Sequence, residues 1–123
     1  LYEYPRDITE NKMNVDIVVS DEEKRALVVV DRSGRHRFDY TGHSTDKFFC
    51  PYGVCTDLLG RILVIHTHTE DTDCISLLDH EGRFLTRILT ESGNPNKFIL
   101  RSLCVDDKNN IYVAYQDKIK VFR

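Results

Sequence analysis

The five residues Asp31-Arg32-Ser33-Gly34-Arg35 recur 48 positions later as Asp79-His80-Glu81-Gly82-Arg83. A short apolar run precedes each copy, at 27–30 and at 75–78, and a second short run follows each copy, at 36–40 and at 84–89. Similarity at a fixed spacing is the signature of a repeat architecture. The chain is therefore expected to contain one structural unit more than once.

A second motif repeats at almost the same spacing. The stretch Tyr52-Gly53-Val54-Cys55-Thr56-Asp57 resembles Arg101-Ser102-Leu103-Cys104-Val105-Asp106, with an offset of 49 between the aspartates. Each aspartate opens a polar turn, which is followed by a short apolar run at 62–64 or at 111–113. A looser copy occupies residues 7–19. The repeating unit therefore has about 48 residues and four short runs, which we label a to d in chain order.

These runs have the character of β-strands. They are short, rich in β-branched residues and separated by turn residues, and no extended helical spacing of apolar residues is present. The clearest runs lie at 15–20, 26–31, 61–66, 74–79, 111–115 and 119–122. Four strands in a unit of this length indicate a β-propeller blade. A β-sandwich is the less favoured alternative, because it does not require turn and strand to recur in register.

The predicted fold is all-β: a partial β-propeller of two four-stranded blades and three strands of a third. Residues 1–123 form one such unit, with blades at about 5–41, 52–90 and 101–123. A closed propeller needs about four to eight blades. We therefore expect missing blades or self-association to close the ring.

The composition is that of a soluble globular protein, with 41% hydrophobic residues, 30% charged residues and a formal net charge of -3. No apolar run approaches the roughly 20 residues of a membrane span. The start of the chain, Leu1-Tyr2-Glu3-Tyr4-Pro5, lacks an initiator Met and the pattern of a signal peptide, so we expect a piece of a longer protein. The four cysteines form no C-x-x-C pair, and we expect reduced thiols and a cytoplasmic location.

The motif Pro51-Tyr52-Gly53-Val54-Cys55-Thr56-Asp57, followed by Gly60-Arg61-Ile62-Leu63-Val64, resembles the NHL repeat. The other copies depart from it, with Leu100-Arg101-Ser102 or Pro5-Arg6-Asp7 in place of Pro-x-Gly. The amino-acid sequence of residues 16–21, 28–34 and 40–43 is similar to that of the C-terminal propellers of tripartite-motif proteins. This resemblance implies a non-enzymatic module that selects protein targets for an attached ubiquitin ligase.

The binding face is expected where the b–c and d–a loops emerge, because the longer loops lie there and loops on a rigid scaffold usually carry recognition. The charges of these loops add up to -3, which favours a protein target over single-stranded RNA, the alternative partner. No cofactor is expected. The candidate partner-binding residues are Arg25, His43, Lys47, His68, Lys97, Arg101, Tyr115 and Lys118.

The stretch from His66 to Cys74 is the most chemically suggestive part of the sequence. It contains the weak metal-ligand candidates His66, His68, Asp71 and Asp73, and two histidines two residues apart share one face of a strand. A metal-dependent propeller enzyme of the lyase or lactonase type is therefore a further alternative. We interpret the stretch mainly as a polar b–c loop, because no second ligand pair stands at a fixed spacing.

Other residue groups are given structural interpretations. Adjacent residues in a loop cannot form a convergent triad, so His43, Ser44 and Asp46 are not expected to be catalytic. The hydrophobic pairs Phe48-Phe49 and Phe98-Ile99 are interpreted as packing between blades rather than as docking platforms. Cys55 and Cys104 are expected to be buried in strand a. The turn aspartates Asp31, Asp57, Asp79 and Asp106 are expected to accept hydrogen bonds from backbone amides two residues on.

Overall fold

The computed structural model describes residues 1–92 and 99–123. Within these ranges the chain forms strands and no helix. The strands are β1 (Pro5–Glu10), β2 (Ile17–Asp21), β3 (Ala26–Val30), β4 (His36–Tyr40), β5 (Pro51–Thr56), β6 (Ile62–Thr69), β7 (Thr72–Leu78), β8 (Phe84–Ser92), β9 (Leu100–Val105), β10 (Ile111–Tyr115) and β11 (Ile119–Phe122).

The strands form three separate antiparallel sheets. The first has the order β1-β2-β3-β4, the second β5-β6-β7-β8, and the third β9-β10-β11. Each strand pairs only with its neighbours in the chain, which is the meander of a propeller blade. The predicted all-β fold, with two four-stranded sheets and a three-stranded one, is confirmed. The described residues contain no helix long and apolar enough to cross a membrane.

The second sheet is packed on both faces, and its side chains alternate between two cores. Ile62 and Val64 of β6 face the first sheet, whereas Leu63 and Ile65 face the third sheet. All four side chains are at most 1% exposed. Burying one such side chain contributes roughly 1.5–3 kcal/mol. Successive apolar side chains of β6 thus point to opposite faces of the second sheet, and this central sheet holds the first and third sheets together.

No further sheet of the described residues packs on the outer face of the first or the third sheet, although Val19 and Val28 on that face of the first sheet are buried. Ile8 of β1 is 65% exposed, and Ile119 of β11 is 70% exposed. For the same reason Cys104 is exposed, although Cys55 at the equivalent position of the second sheet is buried. The prediction that both cysteines are buried is therefore wrong for Cys104, because no further sheet packs against that face. The thiols of Cys50, Cys55, Cys74 and Cys104 are all free.

The four turn aspartates make the same set of hydrogen bonds. The Oδ1 atom of Asp31 accepts from the backbone amides of Ser33 and Arg35, at 2.9 and 3.0 Å. Asp57, Asp79 and Asp106 repeat this pattern with the amides two and four residues on. The predicted structural role of these residues is confirmed. The residue three positions after each aspartate has a positive φ, and it is Gly34, Gly60, Gly82 or Asn109.

A second repeated hydrogen bond ties each linker to its sheet. A backbone amide near the end of the second strand of a sheet, or directly after that strand, donates to the carbonyl of the residue just before the first strand. The pairs are Glu22 with Tyr4 at 3.0 Å, Thr67 with Cys50 at 3.1 Å, and Gln116 with Ile99 at 3.0 Å. These bonds lie at the end of the sheets that carries the 22–25, 70–71 and 116–118 turns and the linker 41–50. We call this end the upper face and the end with the aspartate turns the lower face.

Candidate functional site

Two adjoining cavities open on the upper face, where the first and second sheets meet. The larger has a volume of about 470 Å³ and is lined by Lys47, Phe48, Thr69, Glu70 and Asp71. The smaller has a volume of about 220 Å³ and is lined by Arg25, Phe48, Phe49, Cys50, Thr67, Thr69 and Glu70. Because Phe48, Thr69 and Glu70 line both cavities, the two form one continuous groove, which we call the upper groove.

The wall formed by the linker is fixed by hydrogen bonds to the end of β6. The backbone amides of Lys47 and Phe48 donate to the carbonyl of His68, at 3.1 and 3.3 Å. The amide of Cys50 donates to Oγ1 of Thr67 at 3.0 Å. Lys47, Phe48 and Cys50 are thereby held against the strand that also presents Thr67 and Thr69, so the groove is preformed.

Opposite charges line the upper groove. Arg25 and Lys47 are exposed, and within the described residues their side chains make no hydrogen bond or ion pair. Glu70 and Asp71 lie on the turn after β6, where the Asp71 carboxylate accepts from Oγ1 of Thr69 at 3.0 Å. The groove therefore combines two cations that are available to a ligand with a carboxylate, Glu70, that reaches both cavities.

The two neighbouring phenylalanines of the linker have different roles. Phe49 is buried, with its ring 5.2 Å from the Tyr40 ring in an edge-to-face arrangement and 4.8 Å from the His66 ring. Phe48 is 41% exposed and lines both cavities. The interpretation as packing between blades is confirmed for Phe49 but is wrong for Phe48, because its side chain turns outward into the groove. Phe98 lies outside the described residues.

A buried carboxylate of the linker, that of Asp46, fixes the linker to the second sheet. The side chain of Asp46 is 2% exposed, and its Oδ1 atom lies 2.6 Å from Nδ1 of His68 and 2.8 Å from Nη2 of Arg87. Its Oδ2 atom accepts from the backbone amide of His43 at 2.9 Å. Burial opposes ionisation, but the hydrogen bonds from His43 and His68 outweigh it and lower the pKa of Asp46. We call Asp46, His68 and Arg87 the linker latch.

His66 is a satisfied core histidine. Its Nδ1 donates to the carbonyl of Thr67 at 2.7 Å, and its Nε2 lies 2.7 Å from Oγ of Ser76. A carbonyl oxygen can only accept, so Nδ1 carries the proton and Nε2 accepts from the serine hydroxyl. Burial lowers the pKa of His66, which favours this neutral form. Both ring nitrogens are used, and His66 and Ser76 are fully buried.

The metal-ligand candidates do not form a metal site. His66 is bonded to Thr67 and Ser76, His68 belongs to the linker latch, and Asp71 accepts from Thr69. Asp73 accepts from the backbone amides of Ile99 and Leu100, at 2.9 and 3.3 Å. Across residues 1–92 and 99–123 no group of three or more His, Cys, Asp or Glu side chains could hold a metal ion. The donor set of this segment therefore does not fit a catalytic metal.

The predicted partner-binding residues fall into separate places. Arg25 and Lys47 line the upper groove, whereas His68 belongs to the linker latch, and the ring of His43 lies 4.1 Å from the Phe84 ring. In the third sheet the Tyr115 hydroxyl donates to Glu91 at 3.0 Å, and Nζ of Lys118 lies 5.4 Å from the Tyr115 ring.

The remaining candidates and the suspected triad are accounted for as follows. Arg101 is exposed on β9, and Lys97 lies outside the described residues. The ring of His43 contacts Thr45 rather than Ser44, so it belongs to no serine–histidine pair. Arg87 of the latch was not predicted. Its position in an outer strand gives no signal that its side chain reaches a carboxylate 41 residues away.

The chain matches no known family model and no curated protein. Among solved structures it is similar to a proposed gluconolactonase, with 16% identity and a TM-score of 0.68 over 98% of this chain and 38% of that one. It is also similar to a protein of unknown function from Bacteroides caccae, with 16% identity and a TM-score of 0.60 over 90% of this chain and 38% of that one. The chain thus spans little more than a third of the length of either structure.

These comparisons define the class of the protein as a β-propeller-like fold. They correct the functional prediction. A non-enzymatic module for target selection by a tripartite-motif ubiquitin ligase is wrong, because the named structure that the chain resembles is a proposed enzyme. The NHL assignment and RNA binding also find no support.

Proposed function

We propose that the chain supplies part of the active site of a propeller enzyme that hydrolyses a small ester or lactone in the upper groove. The observation that carries this proposal is that Glu70 lines both cavities, together with Lys47 in the larger one and Arg25 in the smaller one. Hydrolysis of an ester needs a base that activates water and a positive charge that stabilises the oxyanion.

In this proposal Glu70 is the general base and Lys47 stabilises the oxyanion. Glu70 removes a proton from a water molecule, and the water oxygen forms a bond to the carbonyl carbon. The negative charge that develops on the carbonyl oxygen faces the Lys47 ammonium group. The bond between the carbonyl carbon and the ester oxygen then breaks, and the leaving oxygen takes back the proton from Glu70. A lactone and water are thereby converted to one hydroxy acid.

Two further observations support the proposal. The larger cavity, at about 470 Å³, lies within the usual range of small-molecule sites, roughly 300–1,000 Å³. The proposed gluconolactonase that the chain resembles is named for the hydrolysis of a lactone. The proposed steps assign roles to the side chains of Glu70 and Lys47, both of which line the larger cavity.

A lactonase assay with the purified protein tests the proposal. Glucono-1,5-lactone and γ-butyrolactone are incubated with the protein, and acid release is followed in a pH-stat above the spontaneous rate. We expect hydrolysis, and a loss of about 100-fold or more in kcat for Glu70→Gln, because a general base contributes roughly 10²–10⁴-fold.

Glu23→Gln is the matched control, since Glu23 is an exposed carboxylate on an upper-face turn and does not line the groove. It should leave kcat unchanged. Release of acid at the spontaneous rate, or equal losses in the two variants, would refute the proposed function.

A further inference from the structure

Unlike most other arginines of the described residues, Arg25 forms no ion pair with a carboxylate. Six arginines form ion pairs with carboxylates: Arg6, Arg35, Arg37, Arg61, Arg83 and Arg87. Arg25 has no such partner within residues 1–92 and 99–123, although Glu22 and Glu23 precede it in the same turn. Glu22 is instead paired with Arg6 at 2.9 Å. The Arg25 guanidinium group is therefore available to a ligand.

The turn that presents Arg25 is held in place. Asp21 is fully buried and accepts from the backbone amides of Glu3, Tyr4 and Lys24, at 2.7, 2.8 and 3.1 Å. Arg25 itself has a φ of 54°, a left-handed conformation that is unfavourable for a residue other than glycine. The surrounding bonds maintain this conformation and direct the chain into β3. A strained residue held this way is a candidate for a functional position.

The surroundings of Arg25 suit one carboxylate group. The cavity that it lines has a volume of about 220 Å³ and is also lined by Thr67 and by Phe48, which is 41% exposed. A guanidinium group binds a carboxylate through two parallel hydrogen bonds. Glu70 lines the same cavity, and its negative charge repels a doubly charged group about twice as strongly as a singly charged one. A singly charged carboxylate therefore fits better than a phosphate.

We propose that the substrate carries a carboxylate group, which Arg25 binds in the smaller cavity while the reacting carbonyl lies in the larger one. This inference rests on the proposed function, because it names the substrate class of the same groove. Arg25 is then a specificity-determining residue: it selects carboxylated lactones or esters over neutral ones and takes no part in bond breaking.

The test compares two lactones that differ in one group. The compounds are γ-butyrolactone-γ-carboxylate and its neutral analogue γ-hydroxymethyl-γ-butyrolactone. Binding to the purified protein is measured by calorimetry, and turnover is measured separately. We expect the carboxylate to bind at least about tenfold more tightly. Arg25→Gln should abolish the difference, and Arg25→Lys should restore only part of it, because lysine lacks the planar fork.

Arg32→Gln is the control, since Arg32 is an exposed arginine on a lower-face turn. It should retain the full preference for the carboxylate. Equal binding of the two lactones, or a preference that persists in Arg25→Gln, overturns the inference. A carboxylate preference that depends on Arg25 but comes without turnover supports the inference and refutes the proposed hydrolysis, so the two failures are distinguishable.

Discussion

The carboxylate of Asp46 lies 2.6 Å from Nδ1 of His68, and the two residues are 22 positions apart in the chain. One belongs to the linker between the first two sheets, and the other lies near the end of β6. Lys47 and Phe48 follow Asp46 directly, so the contact that holds the linker to the second sheet also positions one wall of the upper groove. Stability and the geometry of the candidate site are therefore coupled through this pair.

The linker latch is expected to stabilise the fold. Asp46→Ala leaves the Arg87 charge without its carboxylate in a site where the arginine side chain is only 19% exposed. Removing one member of a buried ion pair costs roughly 3–5 kcal/mol, and partial exposure reduces this to about 2–4 kcal/mol. Urea unfolding measures the loss. Asp39→Ala is the control, because Asp39 is exposed and its pairs with His36 at 2.8 Å and Lys24 at 3.5 Å should each contribute no more than about 1 kcal/mol. Equal losses would contradict the latch.

The shifted pKa values of His66 and of two aspartates lead us to expect that the protein loses stability in acid in two phases, the first of which is due to His66. Burial lowers the pKa of His66, so the folded state disfavours its charged form, and stability should begin to fall below about pH 6.5, the ordinary histidine pKa. His66→Gln cannot titrate and should remove this first phase, whereas His80→Gln, at an exposed turn, should retain it. The measurement is the urea midpoint between pH 5 and 8. A first phase that survives in His66→Gln would show that another group causes it.

A second phase should follow at lower pH. Hydrogen bonds from Asn110 lower the pKa of Asp106 to about 2, and bonds to Asp46 lower its pKa as well. A lowered pKa stabilises the folded state above the unfolded value, near 4, and this contribution is lost as the pH falls through the folded value. Asp106→Asn should therefore show a shallower fall of the urea midpoint between about pH 4 and pH 2. An unchanged slope would contradict the prediction.

Substituting two glycines distinguishes the energetic cost of backbone strain from the cost of a steric clash between sheets. Gly34 and Gly82 occupy the same position of the repeated turn, and both have a φ of 86°. A Cβ at Gly34 would meet nothing within 4 Å, whereas at Gly82 it would lie 2.4 Å from the Phe38 ring of the first sheet. Gly34→Ala should cost about 1–2 kcal/mol through strain alone. Gly82→Ala should cost about 1 kcal/mol more, because Phe38 must move. Equal losses in urea unfolding would show that the two sheets do not pack closely at Phe38.

The sequence predicts the fold better than it predicts the site. The strands and the aspartate turns follow from local pattern, because β-branched runs, Asp and Gly act within a few residues of themselves. The groove depends on contacts between distant segments. The local sequence pattern does not show that Phe48 turns outward while Phe49 turns inward. It also does not show that Arg87 reaches Asp46. Arg25 and Lys47 could be identified as exposed loop cations, but their convergence on Glu70 could not be.

The most direct test of the upper groove as a substrate site is an NMR titration of the isotope-labelled protein with γ-butyrolactone-γ-carboxylate. Backbone amide shifts are followed for the whole chain. If the groove binds the lactone, the largest changes will lie at Arg25, Lys47, Phe48, Thr69 and Glu70, and the aspartate turns of the lower face will not change. Shifts confined to the lower face, or no saturable shifts at millimolar ligand, would contradict the assignment of this groove as the site of binding.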